Sequence, residues 1–277
     1  MKNFLLILFV AFNVLNTSAQ KLKGTKVVTT SQKEIGNFEA IEVADNIELF
    51  LSKGDKADAE IEADDNLHEV ISISENTGIL RISANQQISS FKKLSVKITY
   101  TDDFKLLTAK GSANVTALTD LILTDFTIKT FDNAKIFATV KSKKFTFMAN
   151  DKSKTELNVS ATESVVEMNN GANLKALISS DKLTFDMYQK ASAAIEGDVN
   201  TLKLRLDNNV NFVGKNLTTK NADLTTEGNS NCSIEVLEKA VISASGKSEI
   251  DLHGEQKIEI NKFSDNALIS KKNNKVK

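Results

Sequence analysis

From Leu107 onward the chain repeats itself with a period of about nineteen residues, which is the length of one turn of a solenoid. Anchors at Ala113, Ala134, Ser153, Ala172, Ala191, Val210, Ser230, Ser248 and Asn266 are separated by 21, 19, 19, 19, 19, 20, 18 and 18 residues. Six residues before each anchor stand Leu107, Ile128, Phe147, Val166, Phe185, Leu204, Leu224, Ile242 and Ile260, a column with no polar member. Two residues after each anchor stand Val115, Ile136, Thr155, Leu174, Ala193, Phe212, Cys232, Ile250 and Leu268. Two residues before come Gly111, Asp132, Asp151, Asn170, Gln189, Asn208, Gly228, Gly246 and Ser264, most of which tolerate turns or left-handed backbone. Two apolar columns and a turn column in fixed phase are what stacked coils demand, because each column must fill one layer of a continuous core.

The apolar positions fall at even offsets from the anchor, so they line one face of a strand and not one face of a helix. A strand enters each corner and another leaves it. Nine such coils, stacked in parallel register at roughly 4.8 Å, give a β-helix about 45 Å long. Antiparallel hairpins in a barrel or sandwich would share the alternation but would not need identical phase in every repeat. The expectation is therefore an all-β parallel β-helix over residues 105–270. The complete absence of proline suits it, since proline cannot donate to a ladder.

Ahead of the repeats, residues 38–104 alternate apolar and polar in short runs. Turns are expected at Ser52-Lys53-Gly54-Asp55 and Glu75-Asn76-Thr77-Gly78, and a short helix or turn at Asp64 to Val70. This stretch reads as a mainly antiparallel β unit continuous with the solenoid, and residues 20–37 as a lead-in arm. Residues 1–19 read as a signal peptide: Lys2, then the apolar run from Phe4 to Leu15, then Thr17-Ser18-Ala19 before Gln20. The apolar run is short for a membrane span and no stop-transfer pattern follows it, so the mature chain is expected to be exported without a transmembrane segment. The lysine-rich residues 271–277 read as a solvated tail.

Charge is balanced at −1 from 35 basic and 36 acidic residues, which gives no basic stripe for nucleic acid. Cys232 is the single cysteine and falls in an inward column, where a thiol acts as a small hydrophobe. His68 and His253 are the two histidines, and neither lies near it in the register. The Asn and Asp clusters at the corners lack the ligand spacing of a calcium loop, and turn chemistry accounts for them. No cofactor, metal or catalytic motif is expected.

The Gly36-Asn37-Phe38-Glu39-Ala40-Ile41-Glu42-Val43-Ala44-Asp45-Asn46-Ile47-Glu48-Leu49 stretch resembles the Bacteroidetes secreted family known as the auto-transporter adhesin head, GIN domain. So do Ala63-Asp64-Asp65-Asn66-Leu67, Gly78-Ile79-Leu80-Arg81-Ile82 and the first coil, Leu106 to Val115. The resemblance covers residues 38–270. It implies a right-handed β-helix and an envelope or surface role, and it brings no catalytic motif. The family's usual glycine near Asp45-Asn46 and proline before the first coil are missing here.

One outward column places Glu167, Asp186 and Arg205 in successive coils. Two carboxylates about 5 Å apart beside an arginine could serve a retaining glycosidase or acidic-sugar chemistry. A surface charge ladder would look the same and would contribute little stability. The leading expectation is an exported, non-enzymatic, adhesin-like protein that binds a surface glycan or an envelope protein, with those three residues as a candidate ligand surface. The alternatives are a polysaccharide-active enzyme and a structural envelope protein that self-associates through its solenoid ends.

Overall fold

The computed structural model describes residues 21–272; the expected signal peptide at 1–19 and most of the lysine-rich tail lie outside them. The described chain is nearly all β, with one short 3-10 turn at Asp65–Leu67. Five parallel pairings join the six long strands Lys135–Ala149, Lys154–Met168, Asn173–Tyr188, Ser192–Asp207, Asn211–Thr226 and Asn231–Ala244, each to the next. Shorter strands at either end complete a β-solenoid of about nine turns. The register follows the sequence columns. Leu107 pairs with Ile128, and the ladder runs on through Phe147, Val166, Phe185, Leu204, Leu224 and Ile242 to Ile260. All but Ile260 are buried.

The turn column adopts left-handed backbone. Gly111, Asp132, Asp151, Asn170, Gln189, Asn208, Gly228 and Gly246 have φ between 53° and 72°. Carboxylates at this corner cap the preceding coil: Asp132 accepts from the Gly111 amide at 2.8 Å, and Asp151 from the Asp132 amide at 3.2 Å. Asp132 and Asp151 are thus used twice, for a backbone that most side chains avoid and for a hydrogen bond along the stack.

Each coil also turns at a second corner that the repeat does not advertise. In the strand Lys154–Met168 the buried residues are Thr155, Leu157 and Val159, then Ser164, Val166 and Met168, so the alternation changes phase at the exposed pair Thr162-Glu163. The same shift recurs at Asp181-Lys182 and Asn200-Thr201. Each coil therefore has two flanks: one follows the left-handed corner and the other precedes it.

The final coil corrects the sequence register by one residue. A bulge between Ile260 and Lys262 leaves Ser243 paired with Lys262 and Ile250 paired with Ile269, so Ala267 takes the anchor position in place of Asn266. The left-handed corner residue is Asp265, φ 63°, in place of Ser264. Its carboxylate accepts from Gly246 at 2.9 Å, as in the earlier coils.

The N-terminal unit is mainly antiparallel, with Val28–Lys33 and Leu94–Tyr100 flanking Asp58–Asp64, and Ile71–Asn76 forming a hairpin with Ile79–Ala84. The columns nevertheless extend into it. Ala40–Val43 pairs in parallel with Leu106–Ala109 on one side and with Ile79–Ala84 on the other. Glu48–Lys53 does the same between Asn114–Ala117 and Leu94–Tyr100. Asp45, φ 65°, is the matching corner. An aromatic cluster, with Phe104 in edge or tilted contact with Phe38, Tyr100 and Phe126 at 5.1–6.0 Å between centroids, ties this unit to the first coils.

Candidate functional site

The flank that precedes the left-handed corner carries the predicted ladder. Glu167 pairs in register with Asp186, and Asp186 with Arg205, so the three stand on successive strands with their side chains outward. Burial pushes the Asp186 carboxyl above its ordinary range; Lys203 and Arg205 oppose the shift and Glu167 adds to it. Glu167 is held by Asn169, whose amide donates to it at 3.0 Å. Arg205 reaches forward to Glu227 at 3.8 Å and lies over the Tyr188 ring, 6.0 Å from its centroid. The guanidinium thus lies between Tyr188 of the preceding coil and Glu227 of the next, and its charge still acts on Asp186.

Catalysis of glycoside hydrolysis needs two carboxyl groups facing each other across a bound sugar. Glu167 and Asp186 instead project side by side from one wall, on neighbouring strands in register. Among the described residues there is no cluster of three or more His, Cys, Asp or Glu able to hold a metal. Cys232 sits between Phe212 and Ile250, with burial pushing its thiol to about 12. A nucleophilic thiol needs the opposite shift.

The opposite flank carries a feature that the sequence did not single out. Positions on five successive coils, from Thr116 to Glu196, line an open trough of about 510 Å³. Phe137 and Leu177, 39% and 48% exposed, give it apolar ground. Glu156, Asn158, Lys175 and Glu196 supply polar groups along it, and Glu156 and Lys175 form a loose pair at 3.8 Å. The Asn216 amide donates to Glu196 at 3.1 Å and braces that carboxylate. Such positions have no periodic signature, because only inward columns are constrained to stay apolar. An exposed phenylalanine and leucine two coils apart would have been the available signal.

Flanks with outward-facing polar and apolar ladders on a stack of parallel coils define a β-solenoid. The chain belongs to the family described as "Putative auto-transporter adhesin, head GIN domain", whose model matches residues 37–255. Among solved structures it is similar to a putative adhesin from Parabacteroides distasonis, with 17% identity over 90% of this chain and 99% of that one and a TM-score of 0.69. A putative adhesin from Parabacteroides merdae gives 17% identity, 94% and 100% coverage and a TM-score of 0.63. A protein described as a putative lipid binding protein, also from Parabacteroides distasonis, gives 14% identity, 93% and 100% coverage and a TM-score of 0.54. At these identities the likeness shows the fold alone. A comparison with curated proteins gave no match. No helix among the described residues is long and apolar enough to cross a membrane.

Proposed function

We propose that this is an exported, non-enzymatic, adhesin-like protein whose solenoid flanks bind a surface glycan or another component of the cell envelope. The observation that carries the reading is the trough. An open groove with an aromatic ring on its floor and carboxylate and amide groups along its length suits an extended, hydroxyl-rich ligand better than a compact substrate. The Glu167, Asp186 and Arg205 ladder is a second contact surface on the other flank, where half-buried carboxylates would accept from hydroxyl or amine groups. Residues 1–19 would direct export, and residues 38–270 would act as one rigid body.

Binding to a glycan array and to envelope fractions tests this reading. Phe137→Ala is expected to weaken capture about tenfold, the loss of one well-packed contact. Asp186→Asn tests the second flank on the same arrays. Incubation with acidic and neutral polysaccharides should yield no new reducing ends or unsaturated products; products that vanish in Asp186→Asn would replace the adhesin reading with an enzymatic one.

A further inference from the structure

The two ends of the solenoid are finished differently. At the N-terminal end the antiparallel strands and the 3-10 turn close the stack, and their own Leu67, Val70 and Ile71 are buried. At the other end the last coil, Lys257–Phe263 and Leu268–Lys271, pairs with the preceding coil on one side only. Its other edge carries main-chain donors and acceptors that no described strand uses. Ile258, Ile260 and Phe263 pair with Ala240, Ile242 and Ala244, all buried, so they occupy the inward columns. They are nevertheless 40%, 54% and 52% exposed. This is the surface that every coil in the stack offers to its successor.

We propose that this end pairs with the same end of a second copy, giving a two-fold dimer whose solenoids meet coil to coil. A free edge with an apolar inward stripe is completed by another such edge. At the N-terminal end Val28–Lys33 and Ile71–Asn76 also pair on one side only, but Ile71 and Ile73 are buried there, so that end has no exposed apolar stripe to match and a two-fold contact between like ends is the favoured geometry. The sequence of the edge strand fits antiparallel pairing with itself. With Asn261 bulged, one register that matches inward face to inward face, centred on Ile260, places Ile258 opposite Phe263 of the partner subunit. The same register sets Glu259 opposite Lys262 of the partner subunit on the outer face, twice per dimer. Directly opposed residues of opposite charge favour a register, and like charges there oppose it. Glu259 already contacts Lys239 of the preceding coil at 2.8 Å, so the contact would continue a charge ladder across the interface. The partner is thus a second copy of this chain, and the contact is independent of whatever the flanks bind.

Sedimentation equilibrium of the purified chain over a wide concentration range tests the proposal. The expected result is a rise from one to two chain masses that stops at two. Ile260→Lys should hold the protein at one mass with an unchanged circular-dichroism spectrum. If that variant fails to fold, the charge pair still decides the matter. Lys262→Glu and Glu259→Lys should each be monomeric alone, because each sets like charges opposite one another. Mixed in equal amounts they should dimerise, because each then supplies what the other lacks. A single mass at every concentration, a mass that climbs past two, or no recovery on mixing would overturn the proposal.

Discussion

At the scale of single residues, the solenoid tolerates few polar groups in its core and pairs most of them. Thr130 donates to Ser153 at 2.9 Å and Thr226 to Ser248 at 3.0 Å, each bridging the inner wall at the left-handed corner. Ser180 bonds to Ser164 at 3.1 Å in the same manner at the second corner. Among the described residues Thr155, like Asn114, Ser142 and Gln256, has a buried polar atom without a partner; it fills the inward column between Ile136 and Leu174 and its hydroxyl is unpaired. A buried hydroxyl without a hydrogen bond loses its hydration and regains nothing. Thr155→Val keeps the branched shape and removes the unpaired group. It is expected to stabilise the protein by about 1 kcal/mol, seen as a rise of ~2 °C in the midpoint of thermal unfolding. A fall in the midpoint would mean that the hydroxyl is satisfied in solution.

At the scale of elements, the lead-in arm is laddered to the cap along Val28–Lys33, and its segment before that strand is clamped by one buried carboxylate. Asp64 is fully buried, and its oxygens accept from the amides of Lys26 at 2.9 Å, Lys92 at 3.0 Å and Lys93 at 2.9 Å. Burial pushes the carboxyl up, but these amides and the Lys26 charge outweigh it, and the folded value lies below the ordinary 3.8. A depressed folded pKa means the clamp contributes fully above 3.8 and is lost as pH falls through the folded value. Pepsin cleavage within residues 21–36 should therefore rise as the pH drops below 3.8 in the wild type, and Asp64→Asn should be cut without that step. A step that survives in Asp64→Asn would place the acid-sensitive group elsewhere. Much of this level was legible beforehand where neighbours in space are also nineteen residues apart in sequence. The coil at Ala40–Val43 and Glu48–Lys53 escaped notice because Gly111, the spatial successor of Asp45, lies well beyond one period, with the cap strands in between. The slip to Ala267 escaped because Asn266 is turn-forming too and one bulged residue preserves the apolar alternation on either side. The second corner left no turn residue of its own, since exposed pairs such as Thr162-Glu163 change phase without needing left-handed backbone. The trough lay on outward positions, where composition is free to vary.

At the scale of the whole molecule, a solenoid's stability is a sum over neighbouring coils, so a coil with one neighbour is held less firmly than a coil with two. The central strands Lys154–Met168, Asn173–Tyr188 and Ser192–Asp207 have long paired neighbours on both sides, and the Phe185–Phe212 edge contact at 5.3 Å adds to the core there. The N-terminal coils are covered by the cap and its aromatic cluster. The last coil has neither advantage, since its inward Ile258 and Ile260 face solvent. Hydrogen exchange read by mass spectrometry should show amides of Lys257–Phe263 exchanging first and those of the central strands last, because exchange from a one-dimensional stack begins at its weakest end. Protection at Lys257–Phe263 should also rise with protein concentration in the wild type and stay constant in Ile260→Lys, since a second copy would supply the missing neighbour. Uniform exchange along the chain would show instead that the stack opens as one cooperative unit, with the terminal coil as firmly held as the middle.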